Sequence, residues 1–449
     1  MKLITEGNSA IRKFISDHYN FNTNEDLVLS KYCIVHENGD EVLLFNLLNY
    51  SFITLTKEEY TKFNEKSLAI RSELIKLMFL VPQSLNLKAI ADAVDKEFRR
   101  PHSTNILDRL DYAVIFTSTN CNARCPYCFE GLNAGKDMDE KTANDVADFL
   151  IRHCMHNGLK IRWFGGEPLC NPKAIEIISD KLNAANVPYT SEVFTNAYLI
   201  TDDVIKLLKK AKVDKAQIPV DGDEEYYNKI KNFKNAEGNP FYTVLENIDK
   251  LLSAGIKVNI RVNLSLESYD SASRLVPYLK ERFGARAGIS VMPVYQMLKN
   301  ETKKEDRVKF LEKLYTLRRK YPMRETVPMG LKQSKCMADN GHSLGIYPEG
   351  KISVCEHYTH THFIGTIYDE SLNLEELAKM RDRSENNLSV CDDCPLYPYC
   401  YRLKYCTELR GCSVCNEELR EYNINVMIGR MLKTRNFAKN NNVYLHKKN

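Results

Sequence analysis

Between residues 112 and 321 the apolar positions change period again and again. Short β-rich runs at 112–119, 159–164, 190–195, 215–220, 257–264 and 288–295 each precede an amphipathic stretch of helical spacing, at 139–156, 172–185, 202–211, 241–254, 270–283 and 303–320. Six strand-then-helix units in a row predict parallel strands joined by right-handed crossovers. The spacing alone permits an open doubly wound sheet or a curved partial barrel.

The flanking segments read differently. Near the start, two β-rich runs, 32–36 and 41–46, flank Glu37-Asn38-Gly39-Asp40, and Asn-Gly is a hairpin signal. A turn at 49–51 leads into a strand at 52–55. Thr56 then sits as the N-cap of a helix, and helical patches follow at 66–79 and 88–99. This small α+β module, residues 1–105, is expected either to dock a peptide leader along a sheet edge or to serve as a lid on its neighbour. At the other end, 417–433 has helical spacing. The tail of 421–449 carries Arg430, Lys433, Arg435, Lys439, Lys447 and Lys448, and is read as a solvated end or a basic surface for an acidic leader.

Composition narrows the class. The chain has 449 residues and 43% apolar content, enough for more than one core. Its 63 basic and 59 acidic residues give a net charge of +4, too balanced for a dedicated nucleic-acid binder. The first residues lack the apolar core of a signal peptide, and no apolar run reaches the ~18 residues a membrane span needs. A cytoplasmic protein with no membrane or nucleic-acid partner is therefore expected. In that compartment thiols stay reduced, so clustered cysteines read as metal ligands rather than cross-links. Eleven of the 14 cysteines fall at 121–128 and 336–415; Cys33, Cys154 and Cys170 stand apart and read as ordinary small residues.

The first cluster is Cys121-Asn-Ala-Arg-Cys125-Pro-Tyr127-Cys128, placed where the first strand of the repeat ends. Three thiols in eight residues can wrap one face of an iron–sulfur cube and leave one iron open. The spacing differs from the C-x2-C pairs of zinc ribbons. It resembles the signature of the radical S-adenosylmethionine (SAM) enzymes, C-x3-C-x-aromatic-C, with Tyr127 as the aromatic. The resemblance selects the curved alternative, a partial (β/α)6 barrel over 106–325, with working residues at the C-terminal ends of the strands. After strand 2 stands Gly165-Gly166-Glu167-Pro168, similar to the family's element for the amino group of SAM. Strand 3 ends Thr195-Asn196-Ala197, where the family often has Thr-Asn-Gly with polar side chains toward the ribose. Strand 4 ends Asp221-Gly222, which in peptide-modifying members faces the reaction cavity. A histidine–aspartate pair often follows there, and this chain has Tyr227-Asn228 instead. Asp221 is the candidate proton acceptor or substrate-orienting group, or else a turn aspartate at a helix entry. On strand 5, Arg261 and Asn263 share a face by register; Arg261 is a candidate for the SAM carboxylate, or pairs with a buried acid.

Eight more cysteines follow: Cys336, Cys355, Cys391, Cys394, Cys400, Cys406, Cys412 and Cys415. Zinc could build two all-thiolate sites from them, which would make the chain a zinc-structured binding module for peptide or nucleic acid. The order C-x13-G-x4-C, then C-x2-C-x5-C, resembles the SPASM domain of radical SAM maturases, here 326–420, which carries two auxiliary 4Fe-4S clusters. By that analogy Cys391, Cys394, Cys400 and either Cys415 or Cys412 hold the outer cluster. Cys336, Cys355 and Cys406 hold the inner one, with the remaining late cysteine or an open iron as the fourth position. The usual C-x3-C continuation is a C-x5-C here, from Cys400 to Cys406. The resemblance implies SAM, three 4Fe-4S clusters, a one-electron donor of flavodoxin or ferredoxin type, and a ribosomally made precursor peptide with a leader. The expected reaction is hydrogen abstraction followed by a cysteine-to-carbon thioether. Alternatives are formylglycine formation as in anaerobic sulfatase maturases, carbon–carbon cross-linking, or epimerisation.

Overall fold

The computed structural model describes every residue except 20–24, 64, 66–68, 100–105, 109, 131–134, 156–157, 322–335, 358–361, 383–388, 401, 405, 407–410 and 441–449. Lys447, Lys448 and the start of the helical patch expected at 66–79 lie outside the described residues. The chain forms two compact units. One comprises the described residues of 1–100 and 383–449, the other those of 101–326 and 336–382.

In the first unit, β1 (Lys2–Thr5) is followed by α1 (Ser9–His18), β2 (Leu27–Leu29), β3 (Cys33–Asn38), β4 (Glu41–Asn46) and β5 (Phe52–Thr56). The sheet runs β1-β5-β4-β3, antiparallel throughout, and β3–β4 is the expected hairpin. Thr56 caps α2 (Lys57–Thr61) in a reciprocal capping box with Glu59. After α3 (Arg71–Lys76), Met78 takes a left-handed φ of 61°, which breaks the helix. The chain then enters β6 (Leu80–Pro82), paired with β2, and continues into α4 (Leu87–Val94). One core joins Ile11 and Ile15 of α1, Phe45 and Phe52 of the sheet and Ile90 of α4 to Met427 and Met431 of the C-terminal helix, Glu417–Asn440. That helix outruns the stretch read from sequence because Met431 and Ala438 are buried and Arg435 pairs with Glu41.

The second unit contains all six expected units. Strand β7 (Tyr112–Ser118) is followed by α5 (Glu140–His153), β8 (Leu159–Gly165), α6 (Pro172–Ala184), β9 (Tyr189–Phe194), α7 (Asp202–Lys210) and β10 (Val213–Pro219). Then come α8 (Glu224–Lys231), α9 (Pro240–Ser253), β11 (Lys257–Leu264), α10 (Tyr269–Phe283), β12 (Gly288–Pro293) and α11 (Lys304–Lys320). Strands β7 to β12 lie side by side in chain order, each parallel to the next. The fold class is therefore α/β with a six-unit parallel core, as expected. Ala113, Val114, Ile115 and Phe116 of β7 are all fully buried, as helices on one face and side-chain packing on the other require.

Beyond the repeat, α12 (Met337–Asn340) leads into β13 (Ser343–Ile346), which extends the sheet parallel to β7. Antiparallel β14 (Lys351–Ser353) and β15 (Gly365–Thr366) continue it, and α13 (Leu374–Met380) follows. Tyr347 stacks on Phe116 at 4.1 Å between centroids, so the strand after Cys336 belongs to the same core as β7.

Candidate active site

The loop that leaves β7 crosses the C-terminal ends of the neighbouring strands and is tied to each in turn. At β8, the Gly166 amide donates to the Ser118 carbonyl at 3.1 Å, and the Glu167 amide to the Asn120 carbonyl at 2.8 Å. Contact this close excludes side chains. A Cβ on Gly165, whose φ is 128°, would lie 2.0 Å from the Ser118 oxygen, and one on Gly166 would lie 2.6 Å from the Asn120 oxygen. At β9, Asn196 Nδ2 donates to Asn122 Oδ1 at 2.7 Å. At β10, the Tyr127 hydroxyl donates to Asp221 Oδ2. Asp221 Oδ1 in turn accepts from the Asn263 amide of β11 at 3.0 Å.

Glu167 is 1% exposed and spends its carboxylate on the chain. Oε1 accepts from the Thr195 hydroxyl at 2.7 Å and the Leu169 amide at 3.0 Å, and Oε2 from the Asn196 amide at 2.7 Å. Burial pushes its pKa up to about 7, against the pull of these donors. A carboxylate has about four acceptor positions, so one stays open to an ammonium. Thr195 and Asn196 thus lock the exit of β9 onto that of β8. Ala197 follows in the left-handed region, φ 61°, with its carbonyl held by Asn247 Nδ2 at 2.9 Å. Arg261 and Asn263 do share a face, and Arg261 Nε donates to Asn263 Oδ1 at 2.7 Å.

Asp221 is 1% exposed and carries an ion pair that the sequence did not reveal. Lys231, the last residue of α8 and 2% exposed, reaches Asp221 Oδ2 at 2.7 Å and donates to the Tyr127 hydroxyl at 3.1 Å. Its own carbonyl accepts from the Arg124 amide at 2.8 Å, and the Lys234 amide donates to the Asn122 carbonyl at 2.7 Å. Burial works against the Lys231 charge, yet Asp221 and Tyr127 hold its pKa well above the ordinary value. Lys231 sits ten positions after Asp221 in a charged segment. Only its place four residues beyond the buried Tyr227 hinted that it faces inward.

Among the described residues no cysteine forms a disulfide. Among the described residues no three His, Cys, Asp or Glu side chains gather tightly enough for a single ion. Three thiols around the rim of one loop suit a larger group, whose several irons hold their ligands apart. The loop's other polar groups fit one as well. The Ala123 amide donates to Cys121 Sγ at 3.4 Å. Asn122 Nδ2 and both carboxylate oxygens of Glu130 are buried with no partner among the described residues, and burial pushes Glu130 up to about 8. Burial likewise pushes Cys121 up to about 12, so a metal must displace its proton.

Further thiols are placed in each unit. In the second, Cys355 Sγ accepts from the His357 amide at 3.4 Å. Glu356 pairs with Arg162 of β8 at 2.9 Å, and Arg162 also holds Glu192 of β9 at 2.8 Å. His357 stacks on Phe129 at 4.4 Å, next to Cys128. In the first unit, Cys391, Cys394, Cys400, Cys406, Cys412 and Cys415 are electrostatic neighbours, with Cys406 and Cys412 buried.

A strand-end loop of three thiols, a glycine pair packed against it and a six-unit parallel sheet define a class. Residues 115–289, within the second unit, match the sequence profile of the radical SAM superfamily. An uncharacterised protein of Methanocaldococcus jannaschii is 25% identical over 288 residues, covering 62% of this chain and 95% of that protein. A GTP 3',8-cyclase of Helicobacter pylori is 26% identical over 254 residues, 55% of this chain and 75% of that enzyme. Among solved structures, anSMEcpe with bound AdoMet superimposes with a TM-score of 0.55 at 19% identity, over 72% of this chain and 99% of that one. The same protein with AdoMet and a Cp18Cys peptide gives a TM-score of 0.54 at 18% identity. Among the described residues, no helix is long and apolar enough to cross a membrane.

Proposed function

We propose that this chain is a radical SAM enzyme that modifies a ribosomally made peptide, using one SAM-binding and two auxiliary 4Fe-4S clusters. The observation that carries the reading is the cysteine loop itself, fastened to the exits of β8, β9 and β10 with the Gly165–Gly166 backbone against it. When bound, the cluster and SAM supply an electron and a 5′-deoxyadenosyl radical. Cys121, Cys125 and Cys128 are the ligands proposed for that cluster, and Gly165, Gly166 and Glu167 the neighbours proposed for the SAM ammonium. Thr195, Asn196, Tyr127 and Arg261 are proposed to complete the SAM site. With its oxygens held by Lys231, Tyr127 and the Asn263 amide, Asp221 serves better to fix geometry than to take a proton.

A peptide substrate is supported by the eight cysteines beyond the core, and by the peptide in the anSMEcpe complex, whose fold this chain shares. Within that reading we favour a cysteine-to-carbon thioether, since an open iron of the inner auxiliary cluster could take a substrate thiolate. Incubated with its precursor peptide, SAM and a one-electron reductant, the enzyme should remove two hydrogens per link, read by mass spectrometry. Mass loss that persists without SAM, or a product one oxygen heavier or epimerised without mass change, would overturn the thioether assignment. The matched GTP 3',8-cyclases make a nucleotide substrate the second reading, tested by offering GTP in place of peptide.

A further inference from the structure

The buried Lys231–Asp221 pair is larger in consequence than loop anchoring requires. The backbone bonds of Arg124 and Lys234 already fasten the cysteine loop to the end of α8. A buried ion pair costs more in desolvation than a well-packed apolar pair of equal size, so its retention calls for another use. The pair also lies against the cysteine loop. Lys231 Nζ contacts the hydroxyl of Tyr127, the residue just before Cys128, and lies 5.7 Å from the centroid of that ring. The Asp221 carboxylate has its other oxygen on the Asn263 amide, toward β11. Through Oδ2 the same carboxylate accepts from the Tyr127 hydroxyl, so both members of the pair touch the loop that carries the thiols.

We propose that Lys231 is a positioning and tuning residue, whose ammonium sets the reduction potential of the cluster held by Cys121, Cys125 and Cys128, with Asp221 as its counterweight. This rests on the cluster reading above. Reduction adds one electron from an external one-electron donor, which is oxidised by one electron, and no proton moves. A fixed positive charge in a low-dielectric site favours the more negative state, and net charge around a cluster is a recognised determinant of its potential. No other lysine or arginine among the described residues ends in a bond to a side chain of the 121–128 loop.

The test is a mediator-controlled redox titration of the reconstituted full chain, followed by the EPR signal of the reduced cluster. To isolate the first site, Cys336, Cys355, Cys391, Cys394 and Cys400 are changed to alanine in every sample. Lys231→Met should lower the midpoint by at least tenfold in the reduction equilibrium, about 59 mV for one electron. Asp221→Asn keeps the acceptor for the Asn263 amide, leaves the cation uncompensated, and should raise the midpoint. Lys231→Arg should stay near the parent. Opposite signs identify a charge effect, because a loosened loop would move both substitutions the same way. Unchanged midpoints, or shifts of one sign, overturn the proposal. Should Lys231→Met fail to hold iron, Asp221→Asn decides by rising or not. A parent protein that assembles no reducible cluster would instead sink the cluster reading itself, so the two failures are distinct.

Discussion

Glu167 shows how one buried carboxylate can hold two strand exits together. Its folded pKa of about 7 stands above the ordinary 4.5, so between those values the folded chain keeps a proton that the unfolded chain releases. The stability it contributes is present below about pH 4.5 and lost as pH rises through 7, on the order of 3 kcal/mol. Urea unfolding of the metal-free, SAM-free protein, followed by the fluorescence of the buried Trp163, should show wild type losing that stability relative to Glu167→Gln between pH 5 and 7.5. A difference that does not change with pH would contradict the burial argument. Residues of this kind were legible in the sequence where chemistry is carried by local spacing: the three cysteines and Gly-Gly-Glu sit within a few positions of one another. Lys231, Asn122 and Arg162 were not. Their partners lie across strand ends, and a buried lysine on a charged helix has no local signature.

The elements were read well wherever length allowed a period to show. The six strands and their helices fall within three residues of their expected limits, because each buries an apolar face over several turns or pleats. Helix α8, eight residues of which half are charged, and the short β13 to β15 were missed because so few positions define no period. What joins elements was also hidden. Asn171 caps α6 through the Ala174 amide and donates to both the Thr117 and Met138 carbonyls, at 2.9 and 2.8 Å. It thus fixes the entry of α6 against β7 and the segment that leads into α5. Asn171→Ala loses a cap and a donor to two carbonyls, of which Thr117 keeps the Met138 amide, a cost of about 2 kcal/mol. Trp163 fluorescence in urea should report that loss, and a change below about 0.5 kcal/mol would show that water replaces the amide.

At the scale of the whole molecule the cysteines are distributed by unit. Cys121, Cys125, Cys128, Cys336 and Cys355 belong to the unit with the six-strand core, and Cys391 to Cys415 to the unit with the N-terminal sheet. Sequence adjacency suggested one cysteine-rich C-terminal block. The chain's return to the N-terminal sheet could not be read, because the apolar positions of the last helix do not name the surface they cover. If the outer cluster is held as proposed, replacing Cys391, Cys394 and Cys400 together should remove about four of about twelve irons per chain. Deoxyadenosine production from SAM should survive. Loss of all iron would show that the sites fill only together.

The central claim is that the loop of Cys121, Cys125 and Cys128 presents a cluster to SAM. Anaerobically reconstituted protein, given SAM and dithionite, should release 5′-deoxyadenosine, measured by chromatography, and changing all three cysteines to alanine should abolish it. Deoxyadenosine formed equally by the triple variant, or a colourless wild type that holds zinc and leaves SAM intact, would contradict the account.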